Sequence, residues 1–85
     1  MYIEVHPGQS VALGIVEYVT VHNIAGAVTR FELIDSLVRQ LEIEPYQTRT
    51  YPTGSGGQQV SFKNNGPDTL LVEPVRPMQG LAAKK

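Results

Sequence analysis

The sequence predicts an all-β protein, a small antiparallel β-sandwich or barrel built from two hairpins. Three observations carry that reading. Runs of β-branched and aromatic residues recur along the chain, as a pleated, half-buried surface favours. Polar and apolar residues alternate within those runs, the period of a strand. Turn chemistry then separates them: Pro7-Gly8, Asn23-Ile24-Ala25-Gly26 and Asn64-Asn65-Gly66. At 85 residues the chain is one domain at most. Residues 1–77 are expected to form it, and residues 78–85 to be a flexible C-terminal tail.

The elements follow in order. Tyr2, Ile3 and Val5 open a short strand that ends at His6-Pro7-Gly8. Val11 and Leu13 resume an extended segment, in which Gly14 permits a bend or bulge. From Ile15 to Val21 the chain is rich in strand formers. Tyr18, Thr20 and His22 alternate there with Val19, Val21 and Asn23. After the turn at 23–26, Val28, Arg30 and Glu32 take one face and Thr29, Phe31 and Leu33 the other. Residues 15–33 therefore read as a hairpin.

Residues 34–41 are ambiguous. Phe31, Ile34, Leu37, Val38 and Leu41 fall at spacings of three and four, which admits one short helical turn near 34–40. Leu41-Glu42-Ile43-Glu44 alternates like a strand and Pro45 stops it. The strand-rich flanks favour strand and loop. Tyr46–Tyr51 reads as an edge strand or an extended loop. Residues 53–58 form a Gly-rich connector. Gln59–Phe62 and Thr69–Val75 flank the Asn64-Asn65-Gly66-Pro67-Asp68 turn as a second hairpin. An internal echo links the two. Val19-Thr20-Val21-His22-Asn23 resembles Val60-Ser61-Phe62-Lys63-Asn64, 41 positions later. Shared turn chemistry explains it, and so does duplication; the sequence leaves both open.

Composition narrows the function. Seven basic and eight acidic residues give a formal charge of −1, so no nucleic-acid partner is expected. No apolar run approaches the ~20 residues of a membrane span, and Met1–Val5 lacks the pattern of a secretion signal. No membrane partner is expected, and the chain is expected in the cytoplasm. There is no cysteine, hence no disulfide framework and no thiolate metal site. His6 and His22, with Glu4 or Glu17, match no compact metal motif, and no cofactor is expected. The Gly-rich stretch lacks the Gly-Lys-Ser/Thr ending of a phosphate loop. No nucleophile elbow is present, and Glu42 and Glu44 read as a solvated strand edge rather than an acid–base pair. The expectation is a protein that is not an enzyme.

What remains is association. Domains this small often gain support by oligomerising. Tyr2, Tyr46, Arg49, Tyr51 and Lys63 are the candidate interaction surface, because exposed tyrosines beside a cation suit partner recognition. Val-Thr-Val-His-Asn at 19–23, Val-Ser-Phe-Lys-Asn-Asn-Gly at 60–66 and Thr-Leu-Leu-Val-Glu at 69–73 resemble, in style of strand and turn, the small β-sandwich virion proteins of tailed bacteriophages. That group includes capsid decoration (cementing) proteins and fibre or spike modules. The resemblance implies a structural virion protein that binds the outer capsid surface and stabilises the coat lattice. Its partners would be itself, as a homo-oligomer with a trimer favoured, and a major capsid protein. The alternative is a small carbohydrate- or peptide-binding β-module.

Overall fold

The computed structural model describes residues 2–53 and 59–76. Among them are eight strands and no helix: β1 (Ile3–Val5), β2 (Ser10–Ile15), β3 (Tyr18–Asn23), β4 (Thr29–Ile34), β5 (Val38–Ile43), β6 (Thr48–Pro52), β7 (Gln59–Gly66) and β8 (Leu70–Val75). They form two antiparallel four-stranded sheets with orders β1-β8-β3-β6 and β2-β7-β4-β5. The sheets pack face to face, so the fold is a sandwich rather than a closed barrel. This strand order is that of a jelly roll, a long hairpin rolled up on itself. The Gly-rich residues 54–58 and the tail expected at 78–85 lie outside the described residues.

The alternation read from the sequence selects the buried face. Val19, Val21 and Asn23 point inward from β3, and Thr29, Phe31 and Leu33 from β4. Phe62 and Phe31 stack at the centre with ring centroids 5.0 Å apart, and Tyr51 meets Phe31 edge-on at 5.4 Å. Val5, Leu13, Ile43, Val60, Leu70 and Val72 complete a core drawn from both sheets. The predicted Gly14 bulge is present, as a register shift between Ala12 and Gly14 against β7.

Two expectations are corrected. The two predicted hairpins are arches: β3 and β4 lie in different sheets, and so do β7 and β8. Each chain segment crosses from one layer to the other at its asparagine. Asn23 and Asn64 are buried, and their side chains serve the backbone of the crossing. The amide N–H of residue i+2 donates to Asn Oδ1 (Ala25 at 3.0 Å, Gly66 at 2.7 Å). Asn Nδ2 donates to the carbonyl of residue i+4 (Ala27 and Asp68, both 2.8 Å). These bonds satisfy backbone groups that no ladder can reach once the chain leaves its sheet. The other correction concerns residues 34–40. No helical turn forms there; β4 and β5 make the in-sheet hairpin across Asp35-Ser36-Leu37, pairing Phe31 with Leu41 and Thr29 with Ile43. The three-and-four spacing is incidental to the hairpin: Phe31 and Leu41 are cross-strand partners on the core face, Ile34 lies on the opposite face, and Leu37 and Val38 are exposed at the turn.

The echo extends much further than five residues. β1–β4 and β5–β8 are equivalent strand for strand. Val5 pairs with Leu70 as Ile43 pairs with Thr29, and Asn Nδ2 donates to both carbonyls, Asn64 to Val5 at 2.8 Å and Asn23 to Ile43 at 3.1 Å. The turns His6-Pro7-Gly8-Gln9 and Glu44-Pro45-Tyr46-Gln47 match as well. In each, the glutamine N–H donates to the first residue's carbonyl, at 2.9 and 3.3 Å, and the glutamine carbonyl accepts from the arch asparagine, at 3.0 and 2.9 Å. The offset is 38 positions through β2/β6 and 41 from β3/β7 onward, because β7 begins 11 positions after the start of β6 whereas β3 begins 8 after the start of β2. The equivalence departs at the sheet centres. The β4–β7 register is shifted by about two residues relative to β3–β8, with an irregularity at Arg30/Phe31.

Candidate functional site

Two equivalent halves make differences between them informative. A position where one half keeps the residue that folding wants, and the other does not, has been used for something else. The largest such departure lies along one side of the sandwich, where edge strands β5 and β6 meet above their connecting turn.

On the opposite side, β1 and β2 close the sandwich with Ile3, Val11 and Leu13, and the turn joining them carries Gly8, whose φ of +83° suits a residue without a Cβ. On the β5–β6 side the corresponding positions are Leu41, Arg49, Tyr51 and Tyr46. Tyr46 takes φ +60°, the one positive φ of a non-glycine among the described residues, and is 75% exposed. A side chain in that region costs about 1 kcal/mol or more, and such strain concentrates at functional positions. The Tyr46 hydroxyl lies over Gly26, where a Cβ would meet it at 3.1 Å. The neighbouring Gln47 departs too. Gln9 Oε1 accepts from the His6 N–H at 2.9 Å, whereas Gln47 Oε1 is buried with no hydrogen-bond partner among the described residues.

β6 supplies the rest. Arg49 and Tyr51 pair with Val21 and Val19, so both occupy core-side positions of an edge strand. Tyr51 fits there as a half-buried ring against Phe31. Burial pushes its phenol above the usual tyrosine range, while the Arg49 charge pulls the other way. Arg49 stays exposed. Arg39 on β5 spans the gap between the layers. Its Nη2 donates to the Pro52 carbonyl at 2.9 Å, and Asp35 lies 3.7 Å from it. Chemically, this side offers a projecting phenol, an exposed guanidinium and the open ladder positions of two edge strands. That suits an extended or acidic partner surface.

Three of the five sequence candidates, Tyr46, Arg49 and Tyr51, thus fall on one strand and its preceding turn. Tyr2 and Lys63 do not join them. Tyr2 leads into β1, the far edge of the same sheet, and packs edge-on against His22 with centroids 4.5 Å apart. Lys63 sits on the outer face of the other sheet, cross-strand from Ser10 and Glu32. Arg39 was not among the candidates; no local pattern distinguishes it from an ordinary strand arginine. His22 Nδ1 lies 2.8 Å from Thr48 Oγ1, and His6 stands 3.8 Å from Glu4. Among the described residues no three histidine, acidic or cysteine side chains converge as a metal site would require.

A second exposed feature lies at the end of the sandwich away from the arches. Ile15, Tyr18, Val38 and Val75 stand at strand ends there, and Leu37 in the β4–β5 turn, all with large apolar surface in water. Among the described residues no helix is long and apolar enough to cross a membrane. Comparison with protein-family models, with curated proteins and with solved structures found no significant match.

Proposed function

We propose that this protein is a structural assembly module, a capsid decoration protein that docks on the outer surface of a coat lattice through its β5–β6 side. The observation that carries the reading is the asymmetry between two otherwise equivalent halves. One side of the sandwich is sealed by aliphatic residues, and the other bears Tyr46, Arg49 and Tyr51 at the cost of backbone strain. Strain retained at an exposed aromatic is a feature of binding surfaces. Jelly-roll sandwiches recur in capsid and lectin domains, which supports both readings at the level of fold alone. The exposed apolar end around Tyr18 and Leu37 suits contacts with further copies, a trimer first among them.

The test is copurification with capsids and the heat resistance it confers. Tyr46→Gly combined with Arg49→Glu should abolish capsid binding and leave the melting temperature of the free protein within about 5 °C, since an exposed change alters stability little. Wild-type protein that ignores capsids would refute the proposal.

A second reading rests on a different place. The outer face of the β3–β6 sheet carries Tyr2 against His22, with the Thr20, Thr48 and Thr50 hydroxyls alongside; Thr20 and Thr50 Oγ1 are 2.9 Å apart. Aromatic and hydroxyl groups in one row suit an oligosaccharide. Saturable tyrosine fluorescence changes with oligosaccharide, lost in Tyr2→Ala, would favour this reading over the first.

A further inference from the structure

The partner surface best described in this molecule is one it already uses on itself. Among the described residues, all six strand pairings join the first half of the chain to the second: β1–β8, β2–β7, β3–β6, β3–β8, β4–β5 and β4–β7. No strand of residues 3–34 pairs with another strand of residues 3–34, and the same holds for the described residues of 38–75. Each half is a partner for the other and offers nothing to itself. The rolled topology makes this so, and the residue-level equivalence of the halves adds that each accepts its complement through the same arches and turns.

The covalent link between them is the short turn Asp35-Ser36-Leu37. It is held by the Asp35 N–H donating to the Leu37 carbonyl at 3.0 Å and the Leu37 N–H donating to Asp35 Oδ1 at 2.9 Å. Leu37 is 68% exposed and Val38 59%. None of the three turn residues belongs to the hydrophobic core cluster.

We infer that a second copy of this chain is a partner for each half of the domain, so that the protein assembles by exchanging residues 38–75 between copies about the 35–37 turn. Closed and exchanged forms share every strand pairing and every core contact. They differ in the turn and in the entropy of association, so concentration and turn length set the balance. Reciprocal exchange closes a dimer, and cyclic exchange among three chains closes a trimer. This mode of assembly is independent of capsid binding; either can fail while the other stands.

The decisive experiment uses full-length chains with the turn intact. Glu4 and Leu71 are register partners on β1 and β8, and adjacent strands bring paired Cα atoms within disulfide range. The protein has no native cysteine. One chain carries E4C, and a second, mass-labelled chain carries L71C. Unfolded together in urea and refolded at high concentration under oxidising conditions, they should yield a covalent heterodimer well above the yield of an E4C and E17C control pair, Glu17 facing no β1 residue. A yield no greater than the control overturns the inference. Deleting Ser36 and Leu37 gives a second reading. Soluble protein at two or three times the 9.3 kDa chain mass, with the parent circular dichroism spectrum, supports exchange; soluble protein at monomer mass with that spectrum refutes it.

Discussion

Asn64 provides the sharpest test of how the two layers are joined. Its side chain is fully buried and makes three hydrogen bonds to backbone: it donates to the Val5 and Asp68 carbonyls, both at 2.8 Å, and accepts from the Gly66 N–H at 2.7 Å. Asn64→Ala removes all three partners and leaves a space too small to hydrate every group. Each bond contributes about 1 kcal/mol net, and a stranded buried group costs ~1–3 kcal/mol. A loss of roughly 3–5 kcal/mol follows. A domain of this size has a total stability of roughly 4–13 kcal/mol at ~0.05–0.15 kcal/mol per residue. The melting temperature should therefore fall by at least about 12 °C, at ~4–8 °C per kcal/mol. Urea and thermal denaturation followed by far-ultraviolet circular dichroism measure the two quantities, with Asn65→Ala as the control, since the Asn65 side chain is exposed and donates to the Glu32 carboxylate at 3.0 Å. If the two variants lose the same small amount, the arch does not depend on its asparagine and the account of the crossing is wrong. Asn64→Asp sharpens the test by setting a carboxylate against two carbonyl oxygens. That penalty raises the new carboxyl's folded pKa, so the ionisation deficit is full above that pKa, shrinks as pH falls from it towards the ordinary carboxyl value near ~4, and is gone below.

Tyr46→Gly should be neutral or stabilising by up to about 1 kcal/mol, because relief of the +60° φ offsets the added chain entropy, and Gly8 already holds the equivalent place. A loss above about 1 kcal/mol in thermal melts would remove the strain argument. Tyr51 binds its proton more tightly folded than unfolded. Its contribution is therefore complete below about pH 10 and declines as pH rises from there through the folded pKa. Alkaline unfolding monitored by phenolate absorbance should show this limb, Tyr51→Phe should lack it, and Arg49→Gln should move it to higher pH. Gly66 adopts φ +86°, so Gly66→Ala should cost about 1 kcal/mol or more in equilibrium denaturation despite the room beside Pro7; an unaltered midpoint would contradict it.

Much of the candidate side was visible in residue types, and its meaning was not. Tyr46, Arg49 and Tyr51 attract notice as aromatics around a cation. The match between Pro7-Gly8-Gln9-Ser10 and Pro45-Tyr46-Gln47-Thr48 was equally present in the chain, and it marks Tyr46 as standing where a glycine belongs. Without a structure, four residues at an offset of 38 cannot be joined to five at an offset of 41. The intervening change of spacing falls in the β6–β7 connection, and only the paired registers show that both offsets belong to one equivalence.

Strand identity and inward face were determined by the chain itself, since side chains on a pleated ribbon must alternate and the apolar set of Val19, Val21, Phe31, Leu33, Val60 and Phe62 leaves one choice of face. Partner choice was decided only in three dimensions. A period of two is the same whether a strand folds back beside its neighbour or crosses to the opposite layer, and Asn23 and Asn64 serve either path by local chemistry. The crossing wins because, once two layers close on a common core, a buried asparagine amide meets carbonyls from distant strands, Ile43 and Val5, that no local segment contains.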